Sequence, residues 1–187
     1  MDAKLKLFPD SEATGKLTDI YNDVKKTFQI PFVPNFIQAQ GSRPDLLEPI
    51  WNCLVGLVVQ EGKLPRPIKE MVLMAVASSN SCGYCESAHE VFCKAFAVEP
   101  ETRKQIMHDL GHLRPGRIRD IIQFAQKAGS LPVQLEDSDY EILKGHGVTD
   151  EELQEIITIA AWGAFCNIMA DSIRVPKDHE FNVALDT

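Results

Sequence analysis

A chain of 187 residues is the length of one domain with a core of its own, so disulfide staples are not needed to hold it together. Its apolar (44%) and charged (25%) fractions are those of a globular protein and exclude collagen-like, low-complexity and wholly disordered chains. With 27 acidic against 19 basic residues the formal charge is −8, which repels phosphate backbones and anionic lipid and argues against nucleic-acid and membrane partners.

Residues 1–6 hold no apolar stretch of the roughly 7 to 15 residues that a secretory signal needs, which predicts a cytoplasmic protein. Residues 1–14 read as a loose N-terminal arm. Leu17, Ile20, Tyr21, Val24 and Phe28 then recur on one face of an amphipathic helix, ended ahead of Pro31 and Pro34. Helices are predicted next over 44–60, 67–78, 82–97, 99–110, 115–128, 137–144 and 149–173. Ser78, Ser79, Asn80 and Ser81 form a turn cluster at which the chain reverses between the second and third of these. No strictly alternating run bounded by hairpin turns occurs, so the fold class is all-α and residues 1–187 form a single helical domain.

The last helix carries the clearest signal. Thr149 with Glu152 three residues on is a capping box, and Leu153, Ile156, Ile157, Ala160, Ala164 and Ile168 continue as an apolar face. Its most apolar window, 156–170, is broken by Thr158, Gly163 and Asn167 and is shorter than the roughly 18 to 20 residues of a bilayer span. It reads as a buried helix. A faint echo relates residues 68–75 to 153–160, pairing Glu70 with Glu155 and setting Asn167 where Cys82 stands. Two identities in eight positions do not make a repeat architecture.

Five cysteines cannot all pair, and a reducing compartment leaves thiols free. Cys53 and Cys166 lie in apolar surroundings and read as buried packing; Trp51, Trp162 and Phe165 on their helix faces read as core or interface, with the lining of a substrate entrance as the alternative. Cys93 reads as a core or interface thiol, with a third redox partner as the alternative. His108, His112, Arg114, Arg117 and Arg119 make a basic stretch, a solvated face or else a contact for an acidic partner or a neighbouring subunit.

The chemistry concentrates in Glu70-x11-Cys82-x2-Cys85-x3-His89. Cysteines three apart on a first helical turn can close a disulfide, and the free N–H groups and dipole of a helix start stabilise a thiolate there. Residues 85 and 89 differ by about 40° around a helix, so His89 lies one turn beyond Cys85 on the same face, placed to take its proton. Glu70 precedes the turn and can fold back to fix the imidazole tautomer. The roles that follow are Cys85 as nucleophile, since only it has His89 one turn away, Cys82 as resolving thiol, His89 as base or relay and Glu70 as orienter or proton reservoir; the reverse order of the two cysteines is the alternative, because the N-terminal cysteine of a helical CxxC is often the more exposed.

This spacing resembles the signature of AhpD-like alkylhydroperoxidases within the carboxymuconolactone decarboxylase superfamily. Residues 65–98 resemble the family's core segment, and Ala164, Phe165, Asn167, Arg174 and Val175 lie in a region similar to the closing helix of its peroxidase-related members. The resemblance covers about half of the chain. It implies a homo-oligomeric helical bundle, with the CxxC at the N-terminus of a central helix, that reduces alkyl or hydrogen peroxide. In it the second cysteine becomes a sulfenic acid, the first resolves it to a disulfide, and an external dithiol, a lipoyl carrier or a thioredoxin-like protein, restores the pair. No bound cofactor is called for. The family's founding enzyme has a histidine just before its second cysteine, and Tyr84 stands there in this chain. A phenol with an ordinary pKa near 10 is a poor relay at neutral pH, so that part of the proton network is missing or rebuilt.

Two alternatives use the same residues. Cys82, Cys85, His89 and Cys93 share a helical face and could belong to a zinc-binding or redox-sensing module. A straight helix spreads them over about 16 Å, so zinc would need Glu70 or another donor. A decarboxylase of the wider superfamily is the other, although that chemistry does not require a dithiol. Covalent haem attachment fails because Glu86 follows the second cysteine, and a thioredoxin relative would show strands around the CxxC.

Overall fold

Proline decides where several helices begin, because a ring that fixes φ and lacks an N–H fits a first helical turn and little else within a helix. In the computed structural model, which describes residues 3–186, Pro44 opens α3 (Pro44–Leu54) and Pro100 opens α6 (Pro100–His108). Pro65 caps α4 (Arg66–Ser79) and Pro115 caps α7 (Gly116–Ser130). The remaining α-helices are α1 (Lys16–Phe28), α2 (Asn35–Gln38), α5 (Gly83–Ala95), α8 (Asp137–Gly145), α9 (Asp150–Ile173) and α10 (His179–Asp186). No strand occurs among the described residues, and the all-α class stands.

Most boundaries fall within two residues of the sequence expectation. The predicted helix 44–60 divides into α3 and a wider π-helical turn, Val55–Val59. The short α2 and the C-terminal α10 had no periodicity long enough to read. The N-terminal arm is not loose. Lys4 N–H donates to the Ile173 carbonyl, Phe8 N–H to that of Gln38, and the Tyr21 hydroxyl to the Phe8 carbonyl, while Asp10 pairs with Lys25. Backbone amides satisfied against α2 and the end of α9 hold the arm down, a pairing that no local pattern announces.

The centre of the molecule is α4, in which residues 69–77 are all buried. One side of it joins a core with Ile121, Ile122, Phe124, Ile156 and Ile159 from α7 and α9. The other meets a second core built from α1, α2, α3 and the end of α9, to which Cys82, Tyr84 and Cys85 belong. Burying a side chain such as Leu73 or Met74 contributes roughly 1.5–3 kcal/mol, so α4 is a large share of the hydrophobic driving force. Small residues admit the close crossings. A Cβ at Gly129 would lie 2.7 Å from the Val76 methyls and one at Gly163 would lie 3.2 Å from Leu73 and Val76, so α7 and α9 both approach α4 over glycine.

The capping box at Thr149 forms as its spacing predicts. At 24 residues α9 is longer than the apolar window suggested and is long and apolar enough to span a bilayer by length and composition alone. Here Ile156, Ile159 and Ala160 lie fully buried in the bundle, while Ile157, Phe165 and Ile168 face outward. Phe165 is therefore exposed rather than core, stacked on the half-buried Trp162. Cys53 is also exposed, because Leu47 and Trp51 take the inward face of α3. Cys53 does not serve as buried packing.

Candidate functional site

The turn after α4 places the site. Ser81 takes the left-handed conformation (φ 58°), Cys82 N–H reaches back to the Ala77 carbonyl at 2.9 Å, and α5 returns along α4. Cys82 is thereby the N-cap residue of α5, and Cys85 sits on its first turn. Both thiols are reduced and buried. Hydrogen bonding to Cys85, burial and the nearness of that second sulfur hold the Cys82 thiol protonated well above the ordinary thiol range. Of the two thiols, Cys82 is therefore held in its protonated form.

One further turn along α5, His89 Nδ1 lies 2.7 Å from Glu70 Oε2. Glu70 is 1% exposed, and its other oxygen accepts from Arg66 Nε at 2.6 Å. Burial pushes this carboxyl up; the hydrogen bond and charge of His89 and the charge of Arg66 outweigh it and leave Glu70 ionised below the usual carboxylate range. A carboxylate on Nδ1 fixes that nitrogen as the donor and leaves Nε2 as the base. The structure thus brings all four sequence-predicted residues to one hairpin. It adds Arg66, whose i, i+4 spacing from Glu70 was readable in the sequence.

Cys85, His89, Glu70 and Arg66 line a pocket that encloses about 70 Å3. Its remaining wall is mostly aromatic and aliphatic, and includes Phe28, Phe36, Phe92, Trp162 and Phe181. Cys166, expected as plain packing, is buried but also lines this wall; burial and the neighbouring Cys82 push its thiol up. Cys93 is fully buried, and burial and the charge of Glu70 push it up as well. Among the described residues no three His, Cys, Asp or Glu side chains gather as a group that could hold a metal ion.

Tyr84 is no relay. Its hydroxyl donates to Asp178 Oδ2 at 2.8 Å and accepts from Phe36 N–H at 3.0 Å, while Asp178 Oδ1 accepts from Asn35 N–H at 2.8 Å. Burial and the Asp178 charge push the phenol well above its ordinary pKa, so it stays protonated and structural. Three arginines of the basic stretch have partners within the chain. Arg117 pairs with Glu152, Arg119 with Asp120, and Arg114 caps the Gly111 and Leu113 carbonyls.

Residues 44–109, which include the whole hairpin, match the carboxymuconolactone decarboxylase family. A solved peroxidase-related protein with an AhpD core from Ralstonia eutropha JMP134 superposes with a TM-score of 0.85 at 25% identity, over 96% of this chain and 94% of its own. This chain has the AhpD-like fold and, over residues 44–109, resembles the carboxymuconolactone decarboxylase family. A peroxidase-related protein from Silicibacter sp. TM1040 shares the AhpD-like fold with a TM-score of 0.84 at 22% identity, over 96% of this chain and 93% of that one. So does the debrominase Bmp8, solved as a cysteine-to-alanine variant with 2,3,4-tribromopyrrole, with a TM-score of 0.84 at 19% identity over 100% and 97% of the two chains. No curated protein matches the sequence. Family and fold set the AhpD-like chain among peroxidase-related and decarboxylase-like proteins.

Proposed function

We propose that the protein is a thiol-dependent peroxidase that reduces alkyl or hydrogen peroxide through Cys85 and Cys82. The observation that carries this reading is a buried dithiol at a helix start whose Cys85 lines the same pocket as a Glu70-bound imidazole. The Cys85 thiolate attacks the distal peroxide oxygen, the O–O bond breaks, and the departing alkoxide takes a proton delivered through His89 Nε2. Cys85 is then a sulfenic acid. Cys82 attacks its sulfur, the S–O bond breaks, and the hydroxyl leaves as water with the Cys82 proton. One peroxide is reduced to alcohol and water as two thiols become one disulfide, and an external dithiol reverses that oxidation by exchange. A reducing cytoplasm, which keeps all five thiols free, suits this cycle.

Titrating thiols before and after one equivalent of tert-butyl hydroperoxide tests the proposal. Two thiols should disappear together, and Cys85→Ser should abolish turnover with dithiothreitol as reductant. Thiols that survive the peroxide would overturn it. A second reading, reductive dehalogenation of a small aromatic halide by the same dithiol, draws on the aromatic pocket wall and on the bromopyrrole held by one structural neighbour. Two thiols would then give a disulfide as the carbon–halogen bond becomes carbon–hydrogen and halide leaves as the acid. Bromide release from a bromopyrrole, without peroxide consumption, would favour it. Self-association also belongs to the proposal, with Ile157, Phe165 and Ile168 of α9 as the apolar surface for a second copy. Sedimentation of the intact chain measures it.

A further inference from the structure

The thiol reading accounts for α4 and α5 but not for the C-terminal segment that crosses them. Phe181 on α10 is buried and forms part of the pocket wall. Its ring meets Phe92 at 6.0 Å and Phe32 at 5.4 Å, and Phe92 in turn meets Phe28 at 5.1 Å. The segment that delivers Phe181 is fastened three residues earlier. Asp178 is 2% exposed and its two oxygens hold the Tyr84 hydroxyl and Asn35 N–H, while the Asn35 side chain donates to the Pro176 carbonyl. Beyond Phe181, Lys94 of α5 donates to the Ala184 carbonyl at 2.8 Å. Tyr84 lies between the two cysteines in sequence, so the tie that holds the segment is anchored inside the CxxC itself.

We infer that Phe181, positioned by the Tyr84–Asp178 hydrogen bond, is the gate of the Cys85 pocket and sets an upper size on the molecules that reach that thiol. The class admitted is small and apolar, such as a short branched alkyl hydroperoxide. Polyaromatic and long-chain compounds are excluded while the tie is intact. The reasoning is steric: a cavity of about 70 Å3, walled in part by a ring fixed on both sides, does not accommodate a fused ring system. Tyr84 and Phe181 are specificity-determining and positioning residues, and neither takes part in bond making.

The inference rests on Cys85 being a reactive thiol but not on peroxide turnover, and covalent labelling separates the two. In a Cys53→Ser background, alkylation of Cys85 by iodoacetamide and by N-(1-pyrenyl)maleimide is timed by mass spectrometry. Phe181→Ala should raise the pyrenylmaleimide-to-iodoacetamide rate ratio about tenfold, and Tyr84→Phe, which keeps the ring and deletes the donor, about threefold. Phe181→Trp should lower the ratio. Circular dichroism confirms that each variant is folded, and Phe181→Leu replaces Phe181→Ala should the latter unfold. Ratios unchanged in the Phe181 variants, or both reagents accelerated equally, would overturn the gate. A protein with these ratio changes but no action on any peroxide would keep the gate and overturn the peroxidase.

Discussion

Glu70 on α4 and Glu155 on α9 occupy matching places in two stretches of faintly similar sequence, and the bundle puts them to opposite uses. Glu155 is saturated by fixed donors: Lys69 Nζ lies 2.7 Å from Oε1, and the N–H groups of Lys63 and Leu64 lie 2.6 and 2.9 Å from Oε2. Lys69, 2% exposed, gives its other hydrogen bonds to the Leu57 and Gln60 carbonyls. The partners in that cluster are one buried ammonium and two backbone N–H groups. Glu70 instead gives one oxygen to an imidazole that can gain and lose a proton beside a pocket. A well-bonded carboxylate is thus a clamp where its donors are a lysine and backbone N–H groups, and a candidate for chemistry where one of them is an imidazole lining a pocket.

The comparison breaks most visibly at Glu155. Glu155→Ala leaves a buried lysine unpaired and should lower unfolding free energy by about 3–5 kcal/mol in urea. Labelling of Cys85 in the folded fraction should stay within twofold. A loss under about 1 kcal/mol would mean that the cluster is not a clamp. At Glu70 the effect moves from stability to reactivity. Glu70→Gln should slow iodoacetamide alkylation of Cys85 at neutral pH about tenfold, worth about 1.4 kcal/mol. An unchanged rate removes the carboxylate from the proton network.

Acid sharpens the contrast through sign. Both carboxyls sit below their ordinary range in the fold, Glu155 because burial, which raises it, is outweighed by Lys69 and the Leu64 N–H. Their stabilisation is complete above the unfolded value of roughly 4.3 and is lost as pH falls through the lower folded values. The urea midpoint should therefore drop below about pH 4, and Glu155→Gln should flatten that drop. Asp178 runs the other way. Burial raises its carboxyl, so its contribution is present below the unfolded value of roughly 3.9 and fades as pH rises through the higher folded one. Asp178→Asn should remove that decline. The smallest effect belongs to Asn167, which stands in the echo where Cys82 would be and accepts from Asn80 Nδ2 at 2.9 Å. Asn167→Ala should cost about 1 kcal/mol, read as a melting shift of a few degrees, because Asn80 keeps its bond to the Gly129 carbonyl.

What could be read from the sequence was what repeats or lies close along the chain. Helical periodicity located α1 and α3 to α9, and fixed spacing brought Glu70, Cys82, Cys85 and His89 together, because a helix start and one tight turn determine their geometry. The arm, the Tyr84–Asp178 tie and the place of Phe181 in the pocket were not legible, since their partners lie far apart in the chain and α10 is a short helix. Cys53 and Cys166 show the limit from the other side. Both lie in apolar sequence, yet one faces outward on α3 and the other lines the pocket, because sequence composition does not say which helix face meets a neighbour.

Cys82 has no exposed surface and, unlike Cys85, does not line the pocket. In the proposed cycle the oxidant and the regenerating dithiol must then use one doorway and touch the same sulfur, so neither can be present while the other reacts. Such an enzyme alternates between two stable forms, and its double-reciprocal plots at several fixed dithiol concentrations run parallel.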